Sequence, residues 1–298
     1  MRDALAAALV SLACLLAPCG ALAAWAAFDL ADTGRYVSTM APLSADPDVR
    51  DAVADAVGDG VVRELDPGPA NSTIGPFVRD AVRSFTRTEA FATAWEAGNR
   101  AVHDAILRAL RDDAATGRPV TVDLAPVAAR VRQRLAADHM PLAERIPVRH
   151  TEVAVVPARE LPGLRRGYHV LDTAAFWLPL AAVVSAVAGI AVAACRRRAL
   201  TAAGLGTALG GALLAVAVAA GRRLTLADLP DRIHRPAAGA VYDALTATLR
   251  TASWLLCALG LTVALVSWLT ARRAHRSAPG PRSASRTAAP APPPRART

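Results

Sequence analysis

The stretch Thr173–Cys195, TAAFWLPLAAVVSAVAGIAVAAC, decides the fold. It holds 23 residues without a charge, and roughly 20 apolar residues suffice to cross ~30 Å of hydrocarbon at 1.5 Å per residue. A soluble helix of that length carries a charged stripe on its solvent side, and this one has none. Three further stretches, Ala4–Phe28, Ala199–Gly221 and Thr251–Ala271, are equally free of charge. The chain therefore reads as a membrane α-helical protein with four transmembrane helices. An α-rich extracytoplasmic domain with a small β-ribbon is expected between the first and second. The expected division is an amino-terminal anchor over 1–28, the external domain over 29–172, a three-span region over 173–271, and a disordered basic cytoplasmic tail over 272–298.

Aromatic placement supports the spans. Trp25 and Phe28 close the first, Phe176 and Trp177 open the second, Trp254 opens the fourth, and Trp268 lies near its far end. Amphipathic rings gather at the headgroup level. Arginine sets the orientation, since all 34 basic residues are arginine. Arg196, Arg197 and Arg198 read as a tight turn between the second and third spans, and Arg272, Arg273 and Arg276 open an acid-free tail. These membrane-surface arginines belong in the cytoplasm by the positive-inside rule. Arg272, Arg273 and Arg276, directly under the membrane, read either as attracting anionic lipid by about 1 kcal/mol each near the surface or as topology determinants with no partner. The amino terminus is then inside, with Asp29–Asp172 and the second loop, Gly221–Arg250, outside. Arg222, Arg223 and Arg250 run against the rule. Ala21-Leu22-Ala23 offers a signal-peptidase pattern, but the length of the first span favours a retained anchor.

From Asp29 to Asp172 there are 21 acids and 18 arginines, a balance that gives nucleic acid no attractive face. The four cysteines all lie in or at the end of a span, so the domain is expected to fold alone by packing, without disulfide or metal. Asp46-Pro47 reads as a helix start, followed by an apolar stripe at Val49, Val53, Val57, Val61 and Leu65. Asp66-Pro67-Gly68-Pro69 ends that helix, and the chain through Pro76 reads as loop. The longest helix of the domain is expected from Thr88 to Ala114, with Phe91, Trp95, Val102, Ile106 and Leu110 largely on one face. Asn99 and His103 sit beside that face and read as a satisfied polar pair. Val120–Leu124 and Thr151–Val156 alternate as short strands, flanking a helix from Pro126 with Val127, Val131 and Leu135 inward. After Pro162, Leu164, Tyr168 and Leu171 are spaced for one helix face. With no break before Pro179, one helix should run from the domain into the membrane.

The chemistry sought is sparse. No two histidines stand at i, i+4, and without lysine the chain has no P-loop and no Schiff-base site. No cofactor, metal or catalytic residue is expected. Gly204-Leu205-Gly206-Thr207-Ala208-Leu209-Gly210 is one residue too long for a dinucleotide fingerprint. Gly206 and Gly210 instead form a small-xxx-small pair for close helix packing, repeated by Ser185, Gly189 and Ala193 in the second span. No ionisable group lies within a span, which counts against a transport core.

Several segments carry a resemblance: Asp32-Thr33-Gly34-Arg35-Tyr36-Val37, Ala41-Pro42-Leu43, Asp51–Asp55, Ala90–Glu96 with Asn99-Arg100, Asp123–Val127, and Arg196–Leu200 with Gly204-Leu205-Gly206. On these the chain resembles a group of uncharacterised actinobacterial integral membrane proteins with one anchor, an external helical domain and three further spans. The resemblance implies a bacterial plasma membrane and supplies no activity. The expected role is a non-enzymatic envelope sensor, binding or scaffold protein, with an accessory subunit of a transport or secretion complex as the competing reading. Expected partners are the lipid bilayer and envelope or membrane proteins, not nucleic acid.

Overall fold

A computed structural model describes residues 2–65, 71–112, 119–123, 125–137, 152–229 and 234–276. In chain order these form α1 (Arg2–Trp25), α2 (Thr33–Met40), α3 (Pro47–Leu65), α4 (Asn71–Phe85), α5 (Glu89–Arg111), β1 (Val120–Asp123), α6 (Ala125–Ala137), β2 (Glu152–Val156), α7 (Leu161–Val192), α8 (Arg196–Ala227) and α9 (Arg235–Arg276). A π-helical turn, Ala26–Leu30, follows α1, and a 3-10 turn, Ala41–Ala45, follows α2.

The helices α1, α7, α8 and α9 are long and apolar enough to cross a bilayer. Their outward faces carry the large side chains, such as Leu205, Leu209, Leu213, Leu255 and Leu259. Their buried positions are mostly small, including Ala6, Gly189, Gly204, Ala208 and Ser253. This arrangement suits lipid, where bulky apolar groups gain nothing from facing inward and small residues let backbones approach.

Small residues set the packing. On α8, a Cβ at Gly204 would lie 2.7 Å from the Gly260 carbonyl oxygen, and one at Gly211 would lie 2.8 Å from that of Ser253. A Cβ at Gly260 would lie 2.5 Å from both the Ala208 nitrogen and the Gly204 oxygen. These two antiparallel helices therefore touch backbone to backbone. The helix α1 runs parallel to α8, Cys14 facing Gly206 and Pro18 facing Gly210, and antiparallel to α7, where Gly20 meets Pro179 and Gly189 meets Leu9 and Val10. It thus lies between the other two. Pro18 and Pro179 sit inside helices that continue through them.

The remaining elements form a head on one end of this bundle. Asp46 caps α3, its carboxylate accepting from the Asp48 and Val49 amides at 3.0 and 3.2 Å. Thr88 caps α5, which ends at Arg111 rather than at the expected Ala114. The strand β1 pairs antiparallel with β2, Asp123 opposite Glu152. Val120 and Val122 are buried against Ala105 of α5 and Leu161 of α7. Arg79–Asp59 and Arg83–Asp51 ion pairs join α4 to α3, and Arg134–Glu89 joins α6 to α5.

Several sequence expectations are corrected. The expected loop through Pro76 is helical from Asn71, because a proline in the second turn forfeits one backbone bond and does not end an amphipathic helix. The α3 stripe turns away from the core. Val49 is buried, but Val57 is 46% exposed and the inward positions become Ala54, Gly58 and Val62. A four-residue spacing advances about 40° beyond a full turn each time, so a straight run of valines winds around the helix. In α7 the inward residues are Leu161 and Arg165, while Leu164 and Leu171 face out. The arginines 196–198 form the first turn of α8, not the turn before it, and α9 carries the helix to Arg276 beyond the expected tail boundary. The side chains of Val127, Val131 and Leu135, and the tail from 277, lie outside the described residues.

The largest correction concerns the second loop. Most of 221–250 is helix, since α8 reaches Ala227 and α9 begins at Arg235. With 42 residues, α9 is about 63 Å long, twice the ~30 Å of hydrocarbon. Its surplus enters the head. Ala237, Ala240, Val241, Ala244 and Leu245 pack against Met40, Leu43 and Val49. The head core is thus shared with a long apolar helix.

Substituting leucine for Gly260 should force α8 and α9 apart and cost at least the 1–3 kcal/mol typical of overpacking. Gly98→Ala, where a Cβ meets nothing within 4 Å, should leave stability equal or higher. Thermal denaturation of the full-length proteins in one detergent compares the two.

Candidate functional site: the junction of head and membrane helices

The chain leaves α1 through the π-helical turn, closed by the Ala31 amide donating to the Ala26 carbonyl at 3.0 Å. His103, from the middle of α5, reaches this exit. Its Nε2 lies 2.8 Å from the Leu30 carbonyl oxygen, which can only accept, so Nε2 donates. Its Nδ1 lies 3.1 Å from Thr33 Oγ1, and the Thr33 hydroxyl donates to Asp104 Oδ1 at 2.7 Å. The Tyr36 ring stacks on the imidazole with centroids 4.3 Å apart. His103 is only 9% exposed, and its bonds hold the exit turn, α2 and α5 in one cluster. Burial pushes the Tyr36 phenol above its ordinary range.

Asn99 does not belong to this cluster. Its Nδ2 donates to the Trp95 carbonyl within the same helix at 2.9 Å. Trp95 supplies the second tie instead, donating from Nε1 to the Met40 carbonyl at 2.8 Å. Beside the His103 cluster lies a cavity of about 310 Å³ whose charged lining is Asp32, Asp104, Arg108 and Arg111. Two acids face two arginines, so it has no net preference for an ion of either sign. Arg111 donates from Nε to the Tyr168 hydroxyl at 3.1 Å, which raises the guanidinium further above its ordinary value. Arg165 Nε donates to the Ala109 carbonyl at 2.8 Å. Two side-chain bonds therefore bind α5 to the start of α7.

A third tie lies at the base of α9. Arg222 Nε donates to Asp243 at 3.0 Å, and Arg250 Nη1 approaches the same carboxylate at 3.5 Å. Tyr242 donates to the Val218 carbonyl at 2.9 Å, and Trp25 Nε1 to the Leu245 carbonyl at 3.0 Å. Asp243 thus partly neutralises Arg222 and Arg250, two of the three arginines that run against the positive-inside rule. The signal in sequence was an acid seven residues before Arg250, which a rule counting only arginine overlooks.

At the opposite end of the bundle the expected membrane-surface arginines come together. Arg196, Arg197 and Arg198 are exposed, and Arg197 Nη1 donates to the Thr270 carbonyl at 3.2 Å, tying the start of α8 to the end of α9. Arg272 lies over the Trp268 ring, 3.7 Å from its centroid, a cation–π contact. The side chains of Arg273 and Arg276 lie outside the described ones. Of the packing residues, Gly206 and Gly210 face α1 from α8, Gly189 faces it from α7, and Ser185 is half-buried. Sequence reasoning missed Gly204, Gly211 and Gly260, which form the tighter α8–α9 contact. Gly204 and Gly211 stand seven residues apart, a helix-face spacing visible in sequence. Among the described residues no group of three His, Cys, Asp or Glu is placed to hold a metal. No protein-family model, characterised protein or solved structure matches this chain.

His103→Ala should strip the Leu30 carbonyl of its partner and cost about 1–3 kcal/mol, read as an earlier unfolding midpoint by tryptophan fluorescence. Alkali gives a second measure. The unfolded state ionises Tyr36 near its ordinary value of 10, while the folded phenol stays neutral to higher pH. Stability present below that value is therefore lost as pH rises above it, and Tyr36→Phe should flatten this part of the decline.

Proposed function

We propose that the chain is a non-enzymatic sensor, binding or scaffold protein of the bacterial plasma membrane, its head outside and its arginine-rich end in the cytoplasm. The observation that carries this reading is the continuity of α7 and α9. Both helices leave the bilayer without a break and enter the head, α7 through Leu161 and Arg165, α9 through the apolar face from Ala237 to Leu245. A head that were merely tethered would need a flexible joint, and neither helix supplies one. The polar groups at the junction are spent on bonds that hold elements together, as with His103, Trp95 and Asp243. That use suits transmission of a tilt or rotation better than acid–base work. The orientation is supported by the grouping of Arg196–Arg198 with Arg272 at one end, away from the head.

Two measurements test this. In a cysteine-free background, a single cysteine at exposed Ser38 should react with an impermeant thiol reagent on intact cells, and one at Ser277 should not; the reverse pattern inverts the topology. Inserting two glycines after Tyr168 and two after Ala247 softens both helices at roughly 1 kcal/mol per glycine. Insertion into the membrane should survive, and complementation of a deletion strain should fall sharply. Full complementation would leave a tethered scaffold. Capture of transporter or secretion subunits from gently solubilised membranes would favour the accessory-subunit reading instead.

A further inference from the structure

Along the seam between α1 and α8 runs an apolar trough of about 660 Å³, bordered at one end by the turn between α7 and α8. Three elements shape it. Ala6 and Val10 line it from α1, Ala202 and Gly206 from α8, and Ala193 and Cys195 stand at its mouth. Its origin is the mixture of residue sizes. Gly206 and Gly210 bring α1 close to α8, while the alanines nearer the mouth are too small to fill the valley beside the contact. Leu15, Leu209 and Leu213 rise at its sides and remain exposed.

Its dimensions select the occupant. From Asp3 to Pro18 the lining follows α1 for about 22 Å at 1.5 Å per residue. The trough is long and apolar enough to take a single hydrocarbon chain, and a dimer seated on it is an outcome that the test below separates. Its length exceeds the ~15 Å depth of one leaflet, so one chain can lie along it from the surface inward.

Charge at the mouth selects the headgroup. Arg198 lines the opening, with Arg196 and Arg197 in the same helical turn, and Asp3 is the one acid in the lining. Arg197 is engaged with the Thr270 carbonyl. Even with Asp3 offsetting one guanidinium, the mouth keeps a positive excess where a lipid phosphate would rest. We propose that this trough is a binding site for one anionic phospholipid, its acyl chain between α1 and α8 and its phosphate at Arg198. The site is independent of what the head recognises.

The test uses the full-length protein in a mild detergent, exchanged with phosphatidylglycerol or phosphatidylethanolamine and weighed intact by native mass spectrometry. The expected result is one retained phosphatidylglycerol per chain, with at least tenfold preference over phosphatidylethanolamine. Ala202→Trp fills the trough and should abolish retention. Ala217→Trp, exposed on α8 beyond the trough, should not. Arg198→Gln should keep an acyl chain but lose the preference. Should Ala202→Trp lower the melting temperature relative to Ala217→Trp, wild-type protein with a photoactivatable acyl chain decides alone. Crosslinks should fall in peptides containing Ser11 and Leu209, not those containing Leu255 and Leu259. Equal retention of both lipids by wild type, undiminished retention by a stable Ala202→Trp protein, crosslinks spread over all four helices, or a dimer dispersed by Ala202→Trp would each overturn the proposal.

Discussion

Gly204, Gly211 and Gly260 leave the backbones of α8 and α9 with no side chains between them, and much of the molecule follows from that approach. Lipid tails are as apolar as leucine, so apolar burial gives membrane helices little reason to pair; close contact and dispersion must supply it. The contact holds α9 at one angle over its membrane part. Because α9 is stiff and twice as long as the hydrocarbon is thick, that angle also places its far end, where Ala237, Val241 and Leu245 meet Met40 and Val49. The head is thereby positioned from within the bilayer.

The ties around this frame are unlike one another, and the difference is physical. In the head, exposed Arg–Asp pairs such as Arg79–Asp59 are screened by water and contribute little individually. At the junction, His103, Trp95 and Trp25 each donate from a ring nitrogen to a main-chain carbonyl. Such bonds fix one backbone segment against another without needing a charged partner. His103 joins the exit of α1 to α5, and Trp25 joins the end of α1 to α9. The first helix of the chain is thus held at its upper end by both the head and the last helix.

Sequence alone was sufficient for the four spans, because an uncharged run of more than twenty residues has few other uses, and for the helical starts at Asp46 and Thr88, where capping is a local matter. It was insufficient wherever a tertiary neighbour decided. The stretch through Pro76 reads as loop, although from Asn71 it is a helix that packs against α3. The valine stripe of α3 reads as one continuous face, yet the buried positions are Ala54, Gly58 and Val62, and at Gly58 a Cβ would lie 2.8 Å from the Arg79 side chain of α4. The loop at 221–250 follows in sequence from alternation of the uncharged runs, with its arginines as exceptions; in the fold Asp243 pairs with Arg222 and Arg250 between α8 and α9. His103 and Asn99 were adjacent on one helix, and only the fold shows that the histidine reaches across 73 residues to Leu30 while the asparagine bonds its own turn.

The position of α1 between α7 and α8 has a consequence for the order of synthesis. The ribosome delivers α1 first, and its partners follow more than a hundred residues later. Until then α1 waits in lipid with the glycine-facing surfaces of Val10, Cys14 and Pro18 uncovered. The head emerges next, yet its core lacks the wall that Ala237–Leu245 of α9 provides. Neither half can reach its final packing before the last helix is made. Assembly is therefore closed by the carboxy-terminal helix, and a chain that stops short of α9 would leave an unfinished core on one side of the membrane and an unpaired glycine face within it.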